Sequence, residues 1–151
     1  MNMSCIRRAV PSDVIRLAEI EVFNYRLNFY PIFRNDDYYF DELRVDRLSQ
    51  EYGENEELVS RTYVYDDGVV KGFIRIADQE VNKLFVEPSF QGQAIGSALL
   101  KFALEAHQVH ELWALEKNTR AIAFYVRHGF YVTKEKKPVD DTAEYLVCLR
   151  R

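Results

Sequence analysis

The sequence is poor in the residues that hold small secreted proteins together. Only two of its 151 residues are cysteines, Cys5 and Cys148, and they lie near opposite ends of the chain. This scarcity excludes a disulfide-rich scaffold. A single disulfide between them is one alternative, but cysteines beside apolar residues are typical of buried free thiols in a reducing compartment, and we expect the latter.

Long apolar runs and an excess of positive charge are also missing. No apolar run approaches the roughly 20 residues of a membrane-spanning helix, and the N-terminus lacks the apolar segment of a signal peptide. The formal net charge of −4 argues against nucleic acid or a membrane surface as a partner. The three histidines have no partners at metal-ligand spacing, so no metal is expected. A cytoplasmic enzyme or binding domain is the class that remains.

The length and composition are those of one globular domain. Hydrophobic residues make up 48% and charged residues 29%, and no repeat or flexible linker interrupts the chain, so we expect residues 1–151 to form a single domain. Apolar periodicity and turn residues predict an α+β protein with mixed strand directions. The predicted elements are strand 4–8, a helix after Pro11-Ser12-Asp13, a helix from about Asn35 to Tyr52, strands 62–65, 69–77 and 81–87, a helix from Ile95, strand 111–116, helix 119–128, and strands 131–134 and 145–149.

Acidic residues are concentrated in one segment. Residues 35–57 contain nine of them against Arg44 and Arg47, a local net charge of −7. Such a run usually forms the solvated face of a helix. The alternative is an acidic rim beside a site that attracts a cationic substrate.

The most informative stretch follows the predicted strand that ends at Pro88. The loop Gln91-Gly92-Gln93-Ala94-Ile95-Gly96-Ser97 has little side-chain bulk and leads directly into a helix. Its backbone N–H groups can converge on an anion at the positive end of the helix dipole, as a bound diphosphate requires. A tight strand-to-helix turn explains the same composition. The glycine spacing fits neither a P-loop nor a dinucleotide fingerprint.

Two motifs occur along the chain in a recognisable order. The first is Gln91-Gly92-Gln93-Ala94-Ile95-Gly96, and the second is Asn118-Thr119-Arg120-Ala121-Ile122-Ala123-Phe124-Tyr125-Val126-Arg127-His128-Gly129-Phe130. They resemble the acetyl-CoA pyrophosphate loop and the second motif of the GNAT N-acetyltransferases, and residues 6–13 resemble the first strand and helix entry of that family. The resemblance spans essentially the whole chain. It implies a mixed, largely antiparallel sheet of about seven strands, splayed in the middle and flanked by about four helices.

The resemblance assigns the cofactor to the strand and loop around the first motif. Leu84, Phe85 and Val86 would pair with the pantetheine arm, which requires their strand to diverge from strand 111–116. The loop from Gln91 to Ser97 would bind the diphosphate. Ala94 replaces the first glycine of the family pattern, and we expect it to be helical because it begins the apolar stripe of the following helix.

The second motif would supply the catalytic and remaining cofactor contacts. Tyr125 would be the general acid for the leaving thiolate, Asn118 would contact the pantetheine or acetyl region, and Arg127 would meet the ribose phosphate. Their structural alternatives are a core aromatic, a helix cap and plain surface charge. Glu80 is the candidate base and Glu116 a second candidate, although each is also explained as a solvated strand-end carboxylate.

The function implied by the resemblance is transfer of the acetyl group of acetyl-CoA to a primary amine by direct attack, without a metal. Aromatic residues cluster between Phe23 and Phe40, where the variable helices of the family line the acceptor cleft, and Phe29, Tyr30 and Tyr38 are the candidate acceptor contacts. Aromatic faces with nearby carboxylates suit a small cationic amine on an apolar stem. The alternative is that these rings complete the core or a dimer interface.

Other functions stay open at this level. One is an acyl-CoA-binding sensor or interaction domain without transfer activity. Another is acetylation of protein N-termini or lysines, and a third is nucleotide-phosphate binding by the same loop. The resemblance also implies that two copies can form a homodimer through the C-terminal strand, from Tyr145 to Arg150.

Overall fold

A seven-stranded sheet runs through the computed structural model, which describes residues 3–151. Its strands lie in the order β1-β2-β3-β4-β5-β7-β6, and every neighbouring pair is antiparallel except β4 with β5. The mixed, largely antiparallel sheet predicted from the sequence is confirmed. The strands are β1 (Ile6–Arg8), β2 (Thr62–Asp66), β3 (Val70–Ala77), β4 (Glu80–Val86), β5 (Glu111–Leu115), β6 (Tyr131–Pro138) and β7 (Tyr145–Arg150).

Helices cover both faces of the sheet. Helices α5 and α6 pack on the face that carries Leu84 and Val86, and helices α1, α3 and α4 pack on the face that carries Phe73 and Phe85. Alternate residues of β4 therefore point into different cores, as the pleat of a strand requires. Six α-helices form within residues 3–151, two more than expected, because two of them are single short turns. They are α1 (Val14–Asn28), α2 (Tyr30–Phe33), α3 (Val45–Gly53), α4 (Glu56–Ser60), α5 (Ile95–His107) and α6 (Thr119–Arg127).

The predicted continuous helix from Asn35 to Tyr52 is wrong. Tyr38–Glu42 forms a π-helical turn, and Leu43 is extended before α3 begins. The guanidinium of Arg26 on α1 holds this break by donating to the carbonyl oxygens of Tyr39 (2.8 Å) and Leu43 (3.1 Å). A tertiary contact therefore overrides the local helical pattern.

Both ends of the chain depart from expectation. The first strand begins at Ile6, because Met3–Cys5 forms a 3₁₀ turn. Strand β7 is paired on one side with β5 and on the other with β6, so Tyr145–Arg150 offers no free edge to a second copy. Edge-to-edge dimerisation through this strand is excluded, and homodimerisation itself stays a prediction.

The remaining expectations concern the thiols and the membrane. Cys5 and Cys148 are both free, as expected, but only Cys148 is buried, whereas Cys5 is half-buried. Over residues 3–151, no helix has the length and apolarity needed to cross a membrane.

Candidate active site

The parallel strands β4 and β5 are the place where the sheet opens. Glu80 pairs with Glu111 and Val81 with Leu112, near the N-terminal ends of the two strands. Beyond these positions the strands diverge, although β4 continues for five residues and β5 for three. The gap that a threaded ligand arm requires is therefore present.

The register of β3 and β4 aims backbone groups into this gap. The N–H of Glu87 donates to the carbonyl oxygen of Lys71 (2.8 Å), so the adjacent pair, Gly72 with Val86, is a non-hydrogen-bonded pair. The N–H and C=O of Val86 consequently point away from β3, and those of Leu84 do the same. An extended ligand in the gap meets these groups as a neighbouring strand would.

Two cavities border the gap. The loop cavity has a volume of about 380 Å³ and lies between the end of β4, the N-terminus of α5, and α6. The aromatic cavity has a volume of about 340 Å³ and lies between α1, α2 and the strands β4 and β5. Two ligands, one in each cavity, would meet at the residues that line both. These shared residues are Leu84, Phe85, Asn118, Ala121 and Tyr125.

Tyr125 stands at the junction of the two cavities. Its side chain is only 9% exposed, and its ring packs edge-on against Phe130. Burial raises the pKa of Tyr125, and no group within residues 3–151 forms a hydrogen bond with its hydroxyl. The hydroxyl is therefore protonated at neutral pH, with its proton free to be donated.

The loop before α5 presents backbone donors to its cavity. The N–H groups of Ile95–Ser97 belong to the first helical turn and have no intrahelical acceptors. Ala94 has φ 61° and ψ 20°, and Gly92 has φ 82°, so both are left-handed. The expectation that Ala94 is helical is wrong. Ala94 holds a conformation that favours glycine, at a cost of about 1–2 kcal/mol. Gln93 is exposed and does not line the cavity.

This architecture is shared with acetyltransferases. A family model described as an acetyltransferase (GNAT) domain matches residues 59–132. YjaB, a peptidyl-lysine N-acetyltransferase of Salmonella typhimurium, is 35% identical over 105 residues, which cover 64% of this chain and 72% of that protein. The chain belongs to the GNAT N-acetyltransferases. An uncharacterized N-acetyltransferase of Methanocaldococcus jannaschii is 41% identical over 56 residues, 34% of this chain and 25% of that protein.

Solved structures show the same fold. Apo-YjaB from Escherichia coli superposes with a TM-score of 0.72 at 23% identity, covering 96% of this chain and 95% of that one. PaiA N-acetyltransferase from Thermoplasma acidophilum, solved with coenzyme A, gives 0.69 at 20% identity, covering 97% and 98%. Together with the sequence relatives, they confirm the predicted family, fold and enzyme class, an acetyl-CoA-dependent N-acetyltransferase.

In this GNAT protein, Asn118 both caps α6 and lines the two cavities. Its Oδ1 accepts a hydrogen bond from the N–H of Ala121 (3.3 Å), which leaves the two amide N–H groups for a ligand. Arg127 lines the loop cavity together with Arg120, a residue that was not predicted. Guanidinium groups near the amides of the first turn of α5 favour phosphate there.

A second unpredicted feature ties α1 to the loop. Asn24, 2% exposed, donates from Nδ2 to the carbonyl oxygen of Val86 (2.9 Å). Nε2 of Gln91 donates to the same oxygen (3.1 Å) and lies 3.3 Å from Oδ1 of Asn24. The side-chain amide of Gln91 therefore holds the strand end, and the N–H of Val86 is the group that a ligand can reach. The signal in the sequence was the pair Asn24 and Asn28, four residues apart on α1.

The loop is also tied to α6 through His128. Its Nδ1 lies 2.8 Å from the carbonyl oxygen of Phe124, and its Nε2 lies 3.1 Å from Oγ of Ser97. Because a carbonyl only accepts, Nδ1 carries the proton, and in the neutral ring Nε2 accepts from the Ser97 hydroxyl. This contact fixes the first turn of α5 against the helix that carries Tyr125.

The candidate bases lie outside both cavities. Glu80 is at the closed end of β4, opposite Glu111, and burial together with the negative charge of Glu111 raises its pKa. Glu116 forms an exposed ion pair with Lys136 (2.5 Å). Neither lines the loop cavity or the aromatic cavity. Within residues 3–151, no three His, Cys, Asp or Glu side chains are grouped to hold a metal.

The aromatic cavity contains two of the three predicted acceptor contacts. Phe29 and Tyr38 line it, whereas Tyr30 does not, because its hydroxyl donates to Asp36 (2.5 Å) at the surface. Throughout the part of the chain that the structure describes, no Asp or Glu lines this cavity, and its one cationic residue is Lys83. The acids of segment 35–57 therefore do not line this cavity, although Tyr38 and Tyr39 of the same segment do.

Proposed function

We propose that this protein transfers the acetyl group of acetyl-CoA to a primary amine that enters through the aromatic cavity. The observation that carries the proposal is the junction of two cavities at Leu84, Asn118 and Tyr125, beside a gap between β4 and β5. One cavity has backbone donors and arginines for a phosphate-rich ligand. The other has aromatic walls for an apolar stem.

The residues of the loop cavity fit acetyl-CoA. The amides of Ile95–Ser97 would hold the diphosphate, with Gly92 and Ala94 shaping the loop around it. Arg127 would pair with the ribose phosphate. Leu84 would pair with the pantetheine arm through its outward backbone groups, and Val86, which lines the cavity at the end of the strand, would lie at the thioester end of the arm. When bound there, acetyl-CoA supplies an activated acyl group attached through a thioester.

The acceptor must lose a proton before it can attack. A lysine-like amine has a pKa near 10.4, so its neutral form costs about 4–5 kcal/mol at pH 7. Glu80 is our proposed proton acceptor, and its raised pKa moves it toward the range in which a base works well. Because it lines neither cavity, water would carry the proton to it.

The transfer step needs a donor at the acyl oxygen and an acid at the leaving sulfur. The N–H of Val86 would stabilise the negative charge that develops on the oxygen. As the C–N bond forms and the C–S bond breaks, the hydroxyl of Tyr125 would give its proton to the sulfur. The proton that the nitrogen loses on becoming an amide would return through water to the Tyr125 oxygen. Free thiols have a pKa near 8.5, so this help is useful but not indispensable.

The acceptor we propose is a small amine on an apolar stem. Phe29, Tyr38 and Tyr39 line the cavity and would contact such a stem, and ring faces attract an ammonium. A lysine side chain of a protein is a second candidate. It is favoured because YjaB, 35% identical, is named a peptidyl-lysine N-acetyltransferase.

Thiol release from acetyl-CoA tests the proposal. Wild type is assayed with alkylamines, diamines and a lysine peptide, beside Tyr125→Phe and the control Tyr131→Phe, which alters a tyrosine 58% exposed on β6. We expect Tyr125→Phe to lower kcat roughly 10²–10⁴-fold while the dissociation constant of CoA is unchanged. Binding of CoA without turnover of any amine would instead indicate an acyl-CoA sensor. Equal affinity for CoA and adenosine diphosphate would indicate a nucleotide-phosphate binder.

Three further expectations belong to this proposal. The seven strands within residues 3–151 form one sheet, which supports a single acetyltransferase domain over residues 1–151. Location in the cytoplasm and assembly as a homodimer stay predictions. Sedimentation of the purified chain, with and without CoA, tests the second of these.

A further inference from the structure

A second polar cavity lies beside the aromatic cavity. It has a volume of about 340 Å³ and shares Tyr25, Tyr38 and Lys83 with the aromatic cavity. Two of its charged lining residues, Glu21 and Arg75, are only 3% and 4% exposed. We call it the arginine cavity.

Arg75 is a buried cation that reaches a carboxylate, that of Glu21, only through the Tyr52 hydroxyl. Its Nε donates to the Thr62 hydroxyl (3.0 Å) and its Nη2 to the Tyr52 hydroxyl (2.5 Å), and it forms no ion pair with any residue from 3 to 151. The Tyr52 hydroxyl donates in turn to Glu21. The other oxygen of Glu21 accepts from Nζ of Lys83 (2.6 Å). One carboxylate therefore serves two cations, and the cluster has a net positive charge.

The cavity rim does not supply the missing anion. Its acids Glu42 and Glu51 are exposed, and Arg44 and Arg47 stand beside them on the same rim. Buried charges are normally paired, because an unpaired one is costly to desolvate. An anionic group of a ligand would complete the pairing, and the planar guanidinium of Arg75 matches a carboxylate well.

We propose that the arginine cavity is a carboxylate subsite, so that the preferred acceptor is a small amine that also carries a carboxylate. The inference rests on the proposed function, because it places the acceptor amine in the adjoining aromatic cavity. Arg75 binds the carboxylate, with Lys83 contributing charge at the boundary between the two cavities.

The strand geometry sets the length of this acceptor. Arg75 lies opposite Lys83 in the β3–β4 register, and Val86 is three residues further along β4, or about 10 Å. An extended chain advances about 1.2 Å per bond, so about eight bonds cover this distance. In ε-aminocaproate about seven bonds, or about 8 Å, separate the nitrogen from a carboxylate oxygen, and a hydrogen bond to the guanidinium covers the rest. Hexylamine is the matched amine without the carboxylate.

Acetylation of these two amines tests the subsite. The measured quantity is the ratio of kcat/KM for ε-aminocaproate to that for hexylamine, and we expect about tenfold or more in wild type. Arg75→Gln should bring the ratio close to one. Glu21→Gln removes the anion that competes for both cations and should raise the ratio. Arg61→Met, which alters an exposed arginine paired with Glu57, is the control and should leave it unchanged.

Opposite effects of Glu21→Gln and Arg75→Gln cannot come from a general loss of stability. If Arg75→Gln does not fold, as judged by circular dichroism, the double variant Glu21→Gln/Lys83→Met takes its place, since it removes one charge of each sign and should lower the ratio relative to Glu21→Gln. A wild-type ratio near one, with good turnover of hexylamine, would overturn the subsite and leave the proposed function intact.

Binding of hexanoate, followed by calorimetry, tests the subsite without any turnover. We expect binding to weaken at least tenfold in Arg75→Gln relative to wild type. If Arg75→Gln does not fold, the double variant is compared with Glu21→Gln and should bind hexanoate more weakly than that single variant. Failure of every amine to react, with hexanoate still binding through Arg75, would refute the proposed function but not the subsite. Hexanoate binding that is absent, or unaffected by the variant, would refute the subsite.

Discussion

Ala94→Gly should make the protein more stable. Ala94 sits at φ 61° immediately before α5, where a side chain costs about 1–2 kcal/mol relative to glycine. Glycine also raises the entropy of the unfolded chain, which lowers the free energy of unfolding by about 0.5–1 kcal/mol. The net gain is about 0.5–1 kcal/mol, which for a domain of this size corresponds to a rise in Tm of about 1–4 °C. Thermal unfolding followed by circular dichroism measures it.

A matched control lies at the other end of the same helix. Gln108 caps α5 with φ 53° and is outside both cavities, so Gln108→Gly should raise Tm by a similar amount. Ala94 already holds the left-handed conformation, so the amides after it are presented as they would be after glycine. The dissociation constant of CoA should therefore stay close to wild type in both variants. A lower Tm for Ala94→Gly, with the expected rise for Gln108→Gly, would refute the argument that Ala94 is strained.

Three other perturbations follow from the contacts described above. Asn24→Leu leaves the amide of Gln91 with one partner fewer, so we expect a loss of about 1–3 kcal/mol in the free energy of unfolding and a higher KM for acetyl-CoA, measured by chemical denaturation and initial rates. Burial and the negative charge of Glu111 raise the pKa of Glu80, so the pH profile of kcat/KM in wild type should bend downward as the pH drops through this raised pKa. Glu80→Gln should lower kcat/KM about 10²-fold and remove this bend, and a bend that persists would exclude Glu80 as the base. The guanidinium of Arg7 holds the pKa of Asp13 below its ordinary value of 3.8. The ion pair therefore stabilises the folded protein at pH values above 3.8, and this stabilisation is lost as the pH falls through the pKa of Asp13 in the folded state. The fall in Tm below pH 4 should therefore be smaller in Asp13→Asn than in wild type, and equal falls would contradict the assignment.

Local signals predicted most of the fold. Apolar alternation predicts the bounds of strands β2 to β5, and small residues and caps predict the bounds of α5 and α6. Each of these signals lies within a few residues of the boundary that it predicts. The loop and the motif that contains Tyr125 were found for the same reason, because their chemistry depends on contiguous residues. Placing this loop and Tyr125 beside one cavity therefore needed little information beyond the order of the residues, and their contacts with the cofactor stay a proposal.

Features that depend on distant parts of the chain were not predicted. The break at Leu43 needs Arg26, seventeen positions earlier, and the cluster of Glu21, Tyr52 and Arg75 joins three separate elements. Ala94 was misjudged for a different reason. The apolar pattern after it is helical, but the family's glycine at this position marks a turn that the pattern does not encode.

Strands β4 and β5 join two halves of the sheet, β1 to β4 on one side and β5 to β7 on the other, through two residue pairs only. The line along which the cofactor is proposed to lie is thus also the line along which the sheet has the fewest interstrand bonds. A molecule bound across this line would add contacts between the two halves of the sheet. Occupancy by CoA should accordingly delay thermal unfolding and slow amide exchange in Leu84–Val86, with the largest protection near this join.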